Sequence, residues 1–201
     1  MLNNRSSKVM HSSEKMFMPK QPPPRVLSQQ WLHHSRLFHI EQLELQFSNG
    51  AERHYERINP GFDRAVMVVP MLDADTVLLV REYGAGVGGY YLSLPKGAME
   101  TGEDVCGAAN RELMEEVGYG ARQLTVIKQL ALSPSYMGNR ITIVLAQQLY
   151  PQQLEGDEPE PLELVPYPLA QLETLVAATD FTEAYAVAAL YMVRDRLAGQ
   201  S

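Results

Sequence analysis

Gly97-Ala-Met-Glu-Thr-Gly-Glu103-Asp-Val-Cys-Gly-Ala-Ala-Asn-Arg111-Glu112-Leu-Met-Glu115-Glu116-Val-Gly118-Tyr119 is the stretch on which the reading of this 201-residue chain turns. Thr101 followed by Asp104 resembles a capping box, and Glu103 and Asp104 favour the positive end of a helix dipole, so a helix is predicted from Gly102 to Val117. Gly118 is placed to end it. At about 100° per residue, Glu112, Glu115 and Glu116 share an arc of roughly 100°. Like charges so placed repel by roughly a few tenths of a kcal/mol per exposed pair, so the helix gains nothing from them unless a cation or ligand sits there. Magnesium suits such a site, because it takes hard carboxylate oxygens and keeps waters and substrate phosphates in its shell. Val105, Ala109, Leu113 and Val117 form a neighbouring i, i+4 apolar row that anchors the helix and leaves the acidic side facing a cleft. Arg111, one turn before Glu115, is placed to orient it by a charge-assisted hydrogen bond. The bland alternative for an isolated acidic cluster is a solvated helix face.

On either side of this segment the pattern alternates between strand and helix. Ala65 to Leu72 and Thr76 to Tyr83 are β-rich, largely apolar runs joined by Asp73-Ala74-Asp75, as expected of central strands. Tyr90 to Pro95 reads as a short strand, and Leu124 to Leu132 and Arg140 to Leu149 as two more. Leu169, Leu172, Leu175 and Val176, then Ala184, Val187, Ala188, Tyr191 and Met192, recur at helical spacing. Helices covering both faces of a mixed sheet follow, an α/β class. Upstream, polar and apolar residues interleave from Arg36 to Phe47, Ser48-Asn49-Gly50 marks a turn, and Glu52 to Ile58 returns as a second strand. Residues 26–61 are therefore expected to form a small β subdomain ahead of a domain over residues 62–201. Residues 1–25, poor in apolar periodicity and closing on Gln21-Pro22-Pro23-Pro24, read as a flexible leader, and Met16 and Met18 allow translation to begin later.

Lys and Arg number 17 against 24 Asp and Glu, a net charge of −7, which disfavours long-range attraction to nucleic acid or an anionic membrane. No apolar run approaches the roughly 18 residues of a membrane span. The single Cys106 cannot form an internal disulfide, so a cytoplasmic location is expected.

Gly97, Glu103, Arg111-Glu-Leu-Met-Glu115-Glu116 and Gly118-Tyr119 match the Nudix box at each specified position, and the chain is identified by that match as resembling the Nudix hydrolases. The resemblance implies an α/β/α sandwich with a mixed β-sheet, here preceded by the N-terminal antiparallel β element, and Mg2+-dependent cleavage of a nucleoside diphosphate derivative, with Mn2+ as a possible substitute. Carried over by position, it makes Glu112 and Glu116 principal metal ligands and Glu115 a ligand or base. Gly97, Glu103, Arg111 and Gly118 support the motif, and the backbone carbonyl of Lys96 or Gly97 is a further ligand. From Ser35 to Gly199 the chain resembles the ADP compounds hydrolase subgroup of the ADP-ribose pyrophosphatase-like enzymes, on Ser35-Arg-Leu-Phe, Phe47-Ser-Asn-Gly, Arg81-Glu-Tyr, Pro134-Ser-Tyr and Leu154 to Pro161. It departs at Leu94-Pro95-Lys96 and at Met137-Gly138-Asn139. The subgroup implies ADP-ribose, NADH and short diadenosine polyphosphates (Ap3A, Ap2A) as substrates, AMP as product, and a homodimer joined through the N-terminal strands. It also makes Glu158 the candidate base among the four carboxylates of Glu155 to Glu160, a segment otherwise read as a solvated acidic turn.

Arg81 suits a phosphate and Tyr83 a nucleobase, with a structural strand end as the alternative, and Tyr136 carries the same choice. Gly84 to Gly89 fits a dinucleotide fingerprint only formally, since it opens onto a strand, and is expected to be a mobile loop at the cleft edge. Two rival functions are a nucleoside triphosphate pyrophosphatase and a non-catalytic ADP-ribose-sensing module. An eroded glutamate box would mark the second, and this box is intact.

Overall fold

A computed structural model describes residues 21–60 and 64–199; residues 1–20 of the expected leader (1–25) and the expected boundary at 61/62 lie outside the described residues, and Arg25, the last residue of that leader, begins a strand. Strands β1 (Arg25–His34), β2 (Phe38–Gln46) and β3 (Glu52–Pro60) form an antiparallel sheet in the order β1-β2-β3. Gly50 (φ +84°) closes the β2–β3 hairpin, where Asn49 Oδ1 accepts from the Ala51 amide at 3.0 Å. The expected signal began near Arg36, so β1 is an element the sequence pattern did not reveal. All ten of its residues are exposed, and a strand that buries neither face carries no alternation.

Strands β4 (Arg64–Pro70), β5 (Thr76–Gly84), β6 (Gly89–Ser93), β7 (Lys96–Ala98), β8 (Tyr119–Leu130), β9 (Arg140–Pro151) and β10 (Glu163–Pro168) follow. They divide into a mixed sheet, β7-β4-β9-β8, and an antiparallel sheet, β10-β5-β6. β4 runs parallel to β9, pairing Val66 with Thr142 and Val68 with Val144. Gly84 to Gly89, expected as a loop, forms the turn between β5 and β6, with Gly88 at φ +68°.

The helices α1 (Val105–Glu116), α2 (Leu172–Val176) and α3 (Ala184–Ala198) cover the two faces. Val66 and Val68 of β4, with Leu78 and Val80 of β5, pack under Ala108, Ala109, Leu113 and Val117 of α1. The intervening residues Met67, Val69, Val77 and Leu79 face Leu172, Leu175, Phe181, Ala186 and Leu190 on the other side. Strands buried on both faces read as continuous apolar runs, and the expected α/β/α sandwich with a mixed sheet results. Fully burying Leu113 or Val66 contributes about 1.5–3 kcal/mol each relative to exposure. Among the described residues no helix is long and apolar enough to cross a membrane.

Candidate active site

α1 begins later than expected. Asp104 itself is the N-cap, its Oδ1 accepting from the Gly107 amide at 2.8 Å, so the Thr101–Asp104 capping box does not form. Glu103 instead accepts from the Glu100 amide at 3.0 Å and from Arg111 Nε at 3.1 Å. Gly118, at φ +75°, ends the helix in the left-handed conformation that glycine adopts at least cost.

Arg111 is the hub of the helix. Its Nη1 donates to Glu112 Oε1 at 2.7 Å and to Glu115 Oε2 at 2.9 Å, and Nη2 donates to the Ala98 carbonyl at 3.0 Å, so one planar fork ties α1 to β7. The sequence reading anticipated only the bond to Glu115. Glu116 turns the other way, and its Oε2 accepts from the Lys96 amide at 3.3 Å. Among the described residues no three His, Cys, Asp or Glu side chains stand together as a ligating cluster; Arg111 bonds two of the glutamates and the Lys96 amide the third.

Gly97 of β7 lies against Glu112. A Cβ there would fall 2.2 Å from Glu112 Oε1, so only glycine lets the strand run this close to the carboxylate. The segment after β9 completes the cleft. Gln152 N–H donates to the Gly118 carbonyl at 3.0 Å, Leu154 N–H to the Met114 carbonyl at 3.1 Å, and Gln153 Nε2 to the Glu115 carbonyl at 3.0 Å. These bonds stitch the acidic segment to the end of α1. Glu112, Glu115, Glu116, Asp157 and Glu158 therefore line one cleft of about 580 Å³, together with Lys96 and Gly97. A second compartment of about 480 Å³ adjoins it across Glu115, Glu116 and Glu158, with Leu154, Leu162 and Leu164 on its apolar side.

The electrostatics fit a divalent cation. Burial pushes the Glu116 carboxyl up to about 9, with Glu112 and Glu82 adding to the effect and Lys96 opposing it. Burial likewise raises Glu112, against the pull of Arg111, and raises Glu158, with Glu82 and Asp157 contributing. Such crowded, desolvated carboxylates are hard oxygen donors whose repulsion a bound cation relieves.

Sequence reasoning missed Glu82, Ser93 and Glu183. The Lys96 ammonium is held by Glu82, by Ser93 Oγ at 3.2 Å and by Glu183 at 3.6 Å, and lies 5.4 Å from the centre of the Tyr91 ring. Ser93 Oγ also donates to Glu183. Strand period two put Glu82 on the face of Leu78 and Val80, but only packing showed that α1 covers that face. Glu183 arrives from the start of α3, with no local signal.

The expected substrate-binding residues are scattered. Arg81 Nε donates to Glu163 Oε2 at 3.0 Å and Nη1 to Asp180 Oδ2 at 2.7 Å, which ties β5 to β10 and to the turn before α3. Arg81 is thus engaged as a strand-end brace, the structural alternative raised for it. Tyr83 is exposed, edge to face with Tyr90 at 5.6 Å, and lines neither compartment of the cleft. Tyr136 lines a separate 220 Å³ hollow with Arg57, Asn139 and Arg140, and its carbonyl accepts from the Ile58 amide at 2.7 Å.

Known proteins share the sequence pattern and the fold. Residues 61–189 match the model of the NUDIX domain, and residues 24–57 match that of the NudE-type Nudix hydrolase N-terminal domain. The chain is 50% identical to the ADP compounds hydrolase NudE of Escherichia coli over 88% of its own length and 95% of that protein. It is 29% identical to an ADP-ribose pyrophosphatase of Bacillus subtilis, over 73% of this chain and 78% of the other. A solved crystal structure of an ADP compounds hydrolase superposes with a TM-score of 0.84 at 48% identity, covering 92% of this chain and 99% of that one.

Proposed function

This chain belongs to the Nudix hydrolase family as a NudE-type member, and from that membership we propose that it hydrolyses the pyrophosphate bond of ADP-linked compounds at the carboxylate cleft, releasing AMP. The substrates are ADP-ribose, NADH and short diadenosine polyphosphates. The observation that carries the reading is the meeting of Glu112, Glu115 and Glu116 of α1 with Glu158 of the distant acidic segment in one cleft.

The family's chemistry depends on a divalent metal, and Mg2+, with Mn2+ as substitute, fits the oxygen donors of Glu112, Glu115, Glu116 and the Lys96 carbonyl. A cation bound there supplies charge neutralisation on the pyrophosphate and makes water a stronger nucleophile. Glu158, raised above the ordinary carboxylate range mainly by burial, takes a proton from the attacking water. Arg111 holds Glu112 and Glu115 in register with β7, and Glu103 braces Arg111. Tyr83 offers an exposed aromatic face for a nucleobase.

The N-terminal sheet exposes Val26, Trp31, Leu32, Leu37 and Phe38, with Trp31 edge to face with His34 and His39. Exposed apolar side chains of this kind support a homodimer formed through residues 26–61. The enzyme works in the cytoplasm, in keeping with its lone cysteine. The reading is tested by mass-spectrometric product analysis with Mg2+ and a panel of ADP-ribose, NADH, diadenosine triphosphate and nucleoside triphosphates. AMP from the ADP-linked compounds, lost in Glu116→Gln, is expected; pyrophosphate from triphosphates alone would overturn the substrate assignment.

A further inference from the structure

The acidic segment that carries Glu158 is stitched to α1 at one end only as far as Leu154, and it rejoins regular structure at Glu163, where β10 pairs with Arg81 of β5. Between these points, Gly156 rests on Glu115, and an alanine Cβ there would stand 3.4 Å from Glu115 Cβ. Beyond Glu158 the Tyr90 hydroxyl of β6 donates to Glu160 Oε1 at 2.5 Å, and Leu162 packs against the core under α1. Tyr90 is itself braced, because its ring packs edge to face on Tyr83, its partner in the β5–β6 register. The phenol therefore projects from a paired hairpin onto a span of chain that lacks secondary structure.

We propose that Tyr90 is a positioning residue that latches the segment 155–162 through Glu160 and so holds Glu158 over the cleft. The inference rests on the reading of Glu158 as the base. Glu158 and Glu160 are each followed by proline, which restricts the chain between them and passes the constraint from the latched residue to the carboxylate two positions earlier. Tyr90 needs no contact with substrate for this role. A group on a segment pinned near its middle, between the anchors at Leu154 and Glu163, loses less orientation than one on a segment held only at its two ends, and that difference falls on turnover more than on binding.

The test compares Tyr90→Phe, Glu160→Ala and their double variant as full-length enzymes with Mg2+ and ADP-ribose. Tyr90→Phe keeps the ring on Tyr83 and removes only the hydroxyl. Each single variant is expected to lower kcat by about three- to tenfold, with KM nearly unchanged, the rate equivalent of one exposed charge-assisted hydrogen bond. The double variant is expected to fall no further, as two sides of one contact require. A glutamate-specific protease can cut this segment after Glu155, since the bonds after Glu158 and Glu160 precede prolines, and this cleavage is expected to be several-fold faster in Tyr90→Phe. In a Glu158→Gln background, Tyr90→Phe is expected to change turnover no further. Unchanged kcat and unchanged cleavage in Tyr90→Phe, or additive losses in the double variant, overturn the latch. Equal losses with and without Glu158 also overturn it, by placing the hydroxyl's effect elsewhere. Normal turnover in Glu158→Gln with faster cleavage in Tyr90→Phe removes Glu158 as base and leaves the latch in place.

Discussion

Replacing Gly97 by alanine puts a methyl carbon 2.2 Å from Glu112 Oε1 and 2.3 Å from both Cδ and Oε2 of the same side chain. Restoring even a 3.0 Å contact requires the carboxylate to retreat by about 0.8 Å, and it has little room, being only 7% exposed and held by Arg111 Nη1. The clash meets the end of a side chain and not the backbone, so the fold loses little. Overpacking of about 1 kcal/mol corresponds to a Tm lower by about 2–4 °C for a chain of this size. Catalysis loses far more, because a displacement near 1 Å at the proposed metal ligand costs about 100-fold in rate, equivalent to about 2.7 kcal/mol. Steady-state turnover of ADP-ribose across a Mg2+ titration, run beside thermal denaturation, measures both. The expected result is a roughly hundredfold lower kcat and a higher Mg2+ midpoint in a protein that still melts cooperatively. Turnover within about threefold of the parent at an unchanged Mg2+ midpoint would refute the view that Gly97 exists to make room for Glu112.

Three other outcomes follow from the same geometry. Glu158→Gln is expected to lower kcat by about 100-fold or more while leaving the fold intact, as loss of a general base does, and near-normal turnover with unchanged metal dependence would exclude Glu158 from that role. Glu116 binds its proton more tightly in the folded chain, at about 9 against an ordinary 4.5, so metal-free protein is expected to lose stability as pH rises through that window. Thermal melts in chelator from pH 5 to 9 measure the slope, which Glu116→Gln should flatten; an unchanged slope in that variant would assign the effect to other groups. If the proposed homodimer forms through the N-terminal sheet, Trp31→Glu, which places a charge among its exposed apolar side chains, is expected to yield monomer in sedimentation velocity without altering the thermal unfolding of the catalytic domain. An unchanged sedimentation coefficient would move the interface away from those side chains.

The parts of the molecule legible in the sequence are those whose geometry repeats along the chain. α1 could be read because Val105, Ala109, Leu113 and Val117 recur at its period, and β4 and β5 because burial on both faces leaves unbroken apolar runs. β1 could not be read, because all of its residues are exposed, and neither could β7, which is three residues long. The helix start was displaced from Gly102 to Val105 because both Thr101 and Asp104 suit an N-cap, and the choice depends on which side chain reaches the free amide of Gly107.

By itself the sequence determined that Glu112, Glu115 and Glu116 rise on one side of a helix next to its buried row, since 3.6 residues per turn places them there whatever surrounds the helix. Tertiary structure alone decided that Glu82 and Glu183 clamp Lys96, that Arg81 braces carboxylates from β10 and the turn before α3, and that Tyr90 reaches Glu160. Those pairs lie far apart in the chain, and no local period encodes them. They depend on strand order and register, which are set by how the two faces of β4, β5 and β9 share their burial between α1 and α3.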